Sequence, residues 1–299
     1  RLQKLGADHP FVAGNYKNIA FAHHSLKNPV AALAAARKAQ VIYDKRLAYM
    51  LSFTSERERL AYQRTLSPYN LLGTLGSVSD LAKTILHNKG IVLSSILEDQ
   101  LAAQASSDPK MKELLSQLRT ASRILNKLEM ENPRDTSEAG WKAHRVKREA
   151  ARDKAEKLQQ ALARNVGGFG QVRTSLSKTV KDVQARLAED AVLLEYISYR
   201  HYLGEDQSEW RGGVIVFAKE GEPKWVPLGP TEPIGKLLAQ YNPTKPATDE
   251  VYEKVLRGLY DQLMAPVIRK LSKDTKTLVL CPDGNLNFLS FATLLTDKD

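Results

Sequence analysis

Cysteine is almost missing from this sequence: Cys281 is the one cysteine in 299 residues. No internal disulfide can form, and such usage suits a reducing compartment. No uninterrupted apolar run is long enough to span a bilayer, so no membrane-crossing helix is expected. The chain opens RLQKLGADHP, without an initiator Met or the apolar core of a signal peptide. It reads as a segment of a longer, cytoplasmic protein. No GxSxG, HExxH or paired-cysteine zinc pattern occurs. Gly167-Gly168-Phe169-Gly170 lacks the GK[ST] ending of a phosphate loop and follows no strand, so it reads as a hinge. Adjacent His23 and His24 would point about 100° apart on a helix, with no cysteine or acid one turn on, so a packing role is expected and no metal or cofactor.

What is present is charge, unevenly placed. Residues 1–185 carry 30 Lys and Arg against 17 Asp and Glu, whereas residues 186–299 carry 14 against 17. The asymmetry predicts at least two domains with a basic surface on the first, open to an acidic protein or nucleic acid.

Hydrophobic periodicity divides the chain further. Residues 11–46 read as a helical pair broken at Lys27-Asn28-Pro29, with small residues at Ala20, Ala32, Ala36 and Ala39 where two helices could approach closely. Ser55-Glu56-Arg57-Glu58 is a capped helix start, Ser67-Pro68 another, and Ile91–Leu101 an apolar helix. Residues 108–165 read as an antiparallel helical hairpin turning at Asn132-Pro133-Arg134-Asp135. Its first arm carries Leu114, Leu115, Leu118, Ile124, Leu125 and Leu128 on one stripe. Its second arm is poor in aliphatics and basic, with Lys142, Arg145, Lys147, Arg148, Arg152, Lys154 and Lys157. A solvated face is the ordinary meaning of such a helix; Lys142, Arg145, Arg148 and Arg152 are the candidates for binding a partner. Protein is favoured over RNA there, because Trp141 alone could stack on a base.

From Asp190 the period becomes two. Strands are expected at 191–197, 213–218 and 224–228, with a hairpin turn at Glu220-Gly221-Glu222. Helices follow at 234–241 and 250–271, the second carrying Pro266 and so kinking or restarting at Ala265. Leu278–Cys281 then reads as a strand buried on both faces, ending in the turn chemistry of Pro282-Asp283-Gly284. Cys281, last in an aliphatic run with His201 the nearest histidine in sequence, reads as a buried core cysteine.

Two family resemblances cover most of the chain. LGADHP and the alanine spacing of residues 11–46 resemble the tetratricopeptide repeat, with His23 and Ala36 where larger aromatics are usual. One repeat cannot bury its own face, so the rest of an array would lie upstream of Arg1, or the following helices would cap it. DAVLLEYISY (190–199), VIVFA (214–218), WVPLG (225–229), LYDQLMAPV (259–267) and LVLCPDGNLNFLSFATL (278–294) resemble the opening half of a CHAT domain, of the caspase-like and separase-like cysteine peptidases. YMLSFTSER (49–57) and HNKGIVL (87–93) are similar to stretches upstream of such domains; Ser290 stands where a proline is common. The resemblance implies a bacterial protein whose helical part recognises a protein partner and regulates cleavage of a peptide substrate by a Cys-His dyad. It places that dyad downstream, in the remainder of the domain, so that no catalytic residue is expected here. The alternative is a non-enzymatic interaction scaffold. The expected fold is thus α+β and multidomain. It comprises a repeat-like pair (1–50), a helical cap (51–107), the hairpin (108–166), a hinge with a short helix (167–185) and an incomplete α/β sheet domain (186–299).

Overall fold

The computed structural model describes residues 8–166, 174–204, 207–241 and 248–296. A helical N-terminal part precedes a small mixed sheet, an α+β arrangement as expected. The hinge expected at Gly167–Gly170 lies outside the described residues. Compact units do not follow the five successive segments. One gathers Arg1–Gln40, Ser67–Asn88 and Lys178–Asp299, and the other Val41–Leu66 and Lys89–Ser177. The chain interleaves because its first helices bury their small faces against the sheet, as follows.

The sheet-containing unit holds α1 (Pro10–Ser25), the first half of α2 (Pro29–Leu51), α4 (Pro68–Leu75), α5 (Val78–Asn88) and α9 (Val180–Gln184). Strands β1 (Ala191–Gly204), β2 (Gln207–Ala218) and β3 (Lys224–Pro230) follow, then α10 (Thr231–Gln240), α11 (Asp249–Leu263), α12 (Ala265–Ile268) and β4 (Thr277–Cys281). Strand order is β3-β2-β1-β4, with β1, β2 and β3 antiparallel and β4 parallel to β1. Alternation along each strand sends side chains to two faces. Leu193, Ile197, Tyr199, Ile215 and Phe217 pack with Ala20, Ala35, Ala36, Leu72, Leu81 and Ile85 of the N-terminal helices. Val192, Leu194, Tyr196, Val214 and Val216 pack with Ile234, Val255, Leu259 and Leu263 of α10 and α11. The sheet is therefore covered by helices on both faces. The small residues Ala20, Ala35 and Ala36 of the first two helices share a core with α4, α5 and the sheet. Arg37 adds a tie from α2 to α5, its Nη2 lying 2.9 Å from Asp80 Oδ2.

Three sequence expectations are corrected here. Strands β1 and β2 run well past their apolar halves, pairing through Tyr199↔Arg211, Arg200↔Trp210 and His201↔Glu209, because backbone pairing continues where the side chains have turned polar. Strand β4 is not buried on both faces but is an edge strand, with Thr277 exposed and Val279 43% exposed. The last helix ends at Leu263 and restarts at Ala265, as expected from Pro266, whose ring cannot donate an N–H to the preceding turn, but the restarted α12 stops at Ile268, short of the expected 271.

The helical unit holds the end of α2, then α3 (Glu56–Thr65), α6 (Ile91–Ala105), α7 (Pro109–Met130), α8 (Glu138–Val166) and a 3-10 turn at Thr174–Ser177. The capped start at Ser55 is a full capping box: Ser55 N donates to Glu58 Oε2 at 2.8 Å, and Glu58 N to Ser55 Oγ. Gln160 of α8 donates to the same Glu58 oxygen, and Glu56 N donates to Gln159 Oε1, so the start of α3 is stitched to α8. The hairpin is packed only at its base, by Met111, Leu115, Leu118 and Leu162 with Ala103 of α6. Between Ser122 and Lys154 no residue is buried, so the outer part of the expected stripe, including Ile124, faces solvent or is half-covered.

Arg59, which periodicity leaves as one more surface cation, is 2% exposed. Its Nη2 donates to Asp99 Oδ2 at 2.8 Å, Nη1 to Ser95 Oγ at 2.8 Å and Nε to the Thr54 carbonyl at 3.0 Å. Removing one member of such a buried pair strands the other charge, whereas replacing both with apolar groups does not. Asp99→Ala is therefore expected to destabilise the helical unit by about 3–5 kcal/mol. In urea denaturation the double change Arg59→Met with Asp99→Leu should recover most of that loss.

A second stability prediction concerns Gly73, mid-helix in α4. A Cβ there would stand 2.7 Å from Tyr199 Cδ2. Gly73→Ala should cost about 1–3 kcal/mol through overpacking. Gly14→Ala on α1, where nothing lies within 4 Å of the new methyl, should be neutral or stabilising by about 0.5–1 kcal/mol in the same thermal melts.

Candidate functional site

Two regions merit a functional reading: the sheet end where β4 stops, and the outer half of the helical hairpin. At the sheet end, β4 pairs with β1 only as far as Glu195↔Cys281, while β1 continues nine residues to Gly204. Its outward N–H groups beyond that point would be left without strand partners. Side chains take them instead. Ser198 N donates to Asp283 Oδ2 at 2.8 Å, Arg200 N to Asn70 Oδ1 at 2.9 Å, and Tyr202 N to Thr74 Oγ1 at 3.1 Å. The Pro282-Asp283-Gly284 turn thus bonds a neighbouring strand, with Gly284 at φ +53°.

Cys281 is only half-buried, packed against the core shared by α4, α5 and the sheet, which corrects the expectation of full burial. The edge position of β4 is the reason. Across from it stands the buried Glu195. Burial pushes the Tyr69 hydroxyl well above the usual tyrosine range, and the nearby Asp283 and Glu195 carboxylates push it further. His201 lies six residues beyond Glu195 along β1, or about 20 Å at strand rise, so it is no general base for Cys281.

Beside the middle of β1, just beyond the end of β4 and on the α10 and α11 face, is an open cavity of about 270 Å³. Its walls are mostly apolar, among them Leu228, Ile234, Leu238 and Leu286, with Trp210 and the Asp283 carboxylate also lining it. A crevice outside the carboxyl ends of parallel strands is the common location for ligands in α/β sheets. Nothing in the periodicity announced this cavity; the Pro-Asp-Gly turn was its only sequence signal.

On the hairpin, the four partner-binding candidates divide. Lys142 and Arg145 are exposed and make no ion pair among the described residues, as do Lys147, Lys154 and Lys157. Arg152 is engaged: it pairs with Glu129 across the hairpin at 2.9 Å and with Glu149 at 3.0 Å. Arg148 is half-buried, its Nε enclosed without a hydrogen-bond partner. Near the tip, His144 Nε2 donates to the Leu128 carbonyl at 2.9 Å, and Trp141 packs edge-on to His144. Trp141 is thus partly occupied within the hairpin. His23 and His24 are half-exposed, and no cluster of three or more metal-ligating side chains exists among the described residues. No helix among them is long and apolar enough to cross a membrane.

Comparison with protein-family models, with curated proteins and with solved structures gives no match for this chain.

His201 supplies a pH prediction. Its Nδ1 is enclosed without a partner, and its ring meets Tyr199 edge-on. Burial, then Arg211, hold its pKa below the ordinary 6.5, with His24 acting the same way and Glu209 opposing. Folding therefore favours the neutral ring. That contribution is complete above 6.5 and is lost as pH falls through the depressed value. Relative to His201→Phe, the native protein should lose thermal stability between about pH 7 and pH 5. A pH-independent difference in melting temperature would remove His201 from the account.

Proposed function

We propose that the chain is the recognition segment and the front half of a caspase-like, CHAT-type cysteine peptidase of bacterial origin, inactive by itself. The observation that carries this reading is the sheet: a parallel β1–β4 pair, helices on both faces, and an edge strand whose outer side is open to a further strand. In the CHAT resemblance, the next strands carry the His and Cys of the dyad and would extend the sheet from that edge. The repeat-like pair α1 and α2, sharing a core with the sheet, supports a repeat-derived element built onto the peptidase domain. The position of His201 supports inactivity of the chain alone, since it lies six residues beyond the Glu195 that pairs with Cys281.

A non-enzymatic scaffold is the second reading, and the free cations of α8 favour it. Lys142 and Arg145 face solvent on a hairpin whose outer half buries nothing, as suits a surface for an acidic protein and, less readily, RNA. Binding through such a face must weaken as salt rises.

One assay separates the readings. The chain is expected to leave a fluorogenic peptide library uncut, and Cys281→Ala should change nothing. The parent protein, expressed from its whole reading frame, should cleave, and a cysteine encoded beyond Asp299 should be required. Turnover by residues 1–299 that disappears in Cys281→Ala would overturn the proposal. A parent protein without turnover that still captures an acidic partner in a Lys142→Glu- and Arg145→Glu-sensitive way would favour the scaffold.

A further inference from the structure

The cavity beside the middle of β1, where β4 stops, has a chemistry that selects its occupant. At about 270 Å³ it lies at the lower edge of the size of small-molecule sites, roughly 300–1,000 Å³, enough for a side-chain-sized group and too small for a nucleotide. Apolar walls from Leu228, Ile234, Leu238 and Leu286 would hold an aliphatic stem. Among the described residues no lysine or arginine lines it, and its one acidic side chain is Asp283. That carboxylate is fixed by the 2.8 Å bond from Ser198 N to its Oδ2 and forms no ion pair among the described residues. Trp210, 57% exposed, adds an indole whose face attracts cations. Phosphates and carboxylates would meet like charge without a counter-charge.

The helix on one wall is opened by a glycine. Gly235 sits inside α10, where glycine is less favourable than alanine, and nothing lies within 4 Å of where its Cβ would be. Gly235 therefore leaves this wall free of a side chain that would narrow the cavity.

We infer that this cavity binds an alkyl chain ending in a cation, a guanidinium or ammonium on an apolar stem. The Asp283 carboxylate takes the charge, Trp210 the cation face, and the leucine and isoleucine walls the stem. The source is either the arginine or lysine side chain of a peptide or a free organic cation. The inference stands whether or not the parent protein is a peptidase, since it concerns binding alone.

The test uses the 299-residue chain with three probes titrated by saturation-transfer NMR: n-butylguanidinium, Ac-Gly-Arg-Gly-NH2 and the uncharged Ac-Gly-norleucine-Gly-NH2, which keeps the aliphatic stem and lacks the cation. Saturable binding of the arginine peptide is expected, at least tenfold tighter than that of the norleucine peptide. Asp283→Asn, whose amide oxygen can still accept from Ser198 N, should remove that tenfold preference. Gly235→Leu should abolish binding while leaving the circular dichroism spectrum and melting temperature unchanged or improved. Butylguanidinium binding as tightly as the arginine peptide would identify a free cation as the ligand, and a tenfold advantage for the peptide would identify a side chain. Equal affinity for the arginine and norleucine peptides, binding that survives Gly235→Leu, or no binding of any probe would each overturn the assignment.

Discussion

The unpaired edge of β1 is the constraint on which the sheet-containing unit depends. A buried or half-buried strand cannot leave its N–H groups unsatisfied without a cost of about 1–3 kcal/mol apiece. Strand β4 satisfies the first part of this edge and then stops at Cys281. The remaining donors at Ser198, Arg200 and Tyr202 are met by Asp283, Asn70 and Thr74. Two of those acceptors lie one turn apart on α4, at the spacing that puts side chains on one face of a helix. Strand period and helix period meet there: every second strand donor finds every fourth helix residue.

That arrangement draws α4 close to the sheet and explains features that otherwise look like weaknesses. Gly73 falls between Asn70 and Thr74 on the side where the Tyr199 ring approaches, and any side chain there would collide with it. Gly213 plays the same part on β2, where the Trp225 indole covers the strand and an added Cβ would overlap the ring. The glycine interrupting a helix and the one interrupting a strand are both sites of aromatic packing. Gly76, at φ +67°, does the ordinary work of ending α4 in the left-handed conformation.

Much of this order was legible in the residues, and the failures have identifiable causes. Capping at Ser55, breaks at Pro29, Pro68 and Pro266, and the apolar halves of β1 to β3 all rest on local chemistry that operates within a few residues. The alanines at 20, 32, 36 and 39 are all buried, because small side chains signal close approach whatever the approaching element is. What approached was not legible. The pair looked like one repeat of an array, and its face is closed by α4, α5 and the sheet, elements far away in sequence. The polar ends of β1 and β2 escaped because pairing there is carried by backbone groups, which a hydropathy pattern does not report. Arg59 escaped for a related reason: its burial requires Ser95 and Asp99 on another helix, and a charged residue gives no local sign of that partnership. Among the basic candidates, Arg152 is spoken for by Glu129 across the hairpin, a pairing set by the register of two arms and invisible in the composition of one.

Asp283 joins the structural and chemical arguments. As a turn residue it needs only to bond backbone, and a neutral asparagine could accept the Ser198 N–H equally well. Among the described residues the Asp283 carboxylate forms no ion pair, so nothing in the turn itself calls for a charge there. Its field reaches far enough to help hold Tyr69 protonated. The charge is therefore surplus to the bond that fixes it, and it lines a cavity otherwise walled by leucine and isoleucine. A fixed carboxylate beside apolar walls offers an incoming cation both a counter-charge and a surface for its stem, and that pairing is what the proposed occupant would use.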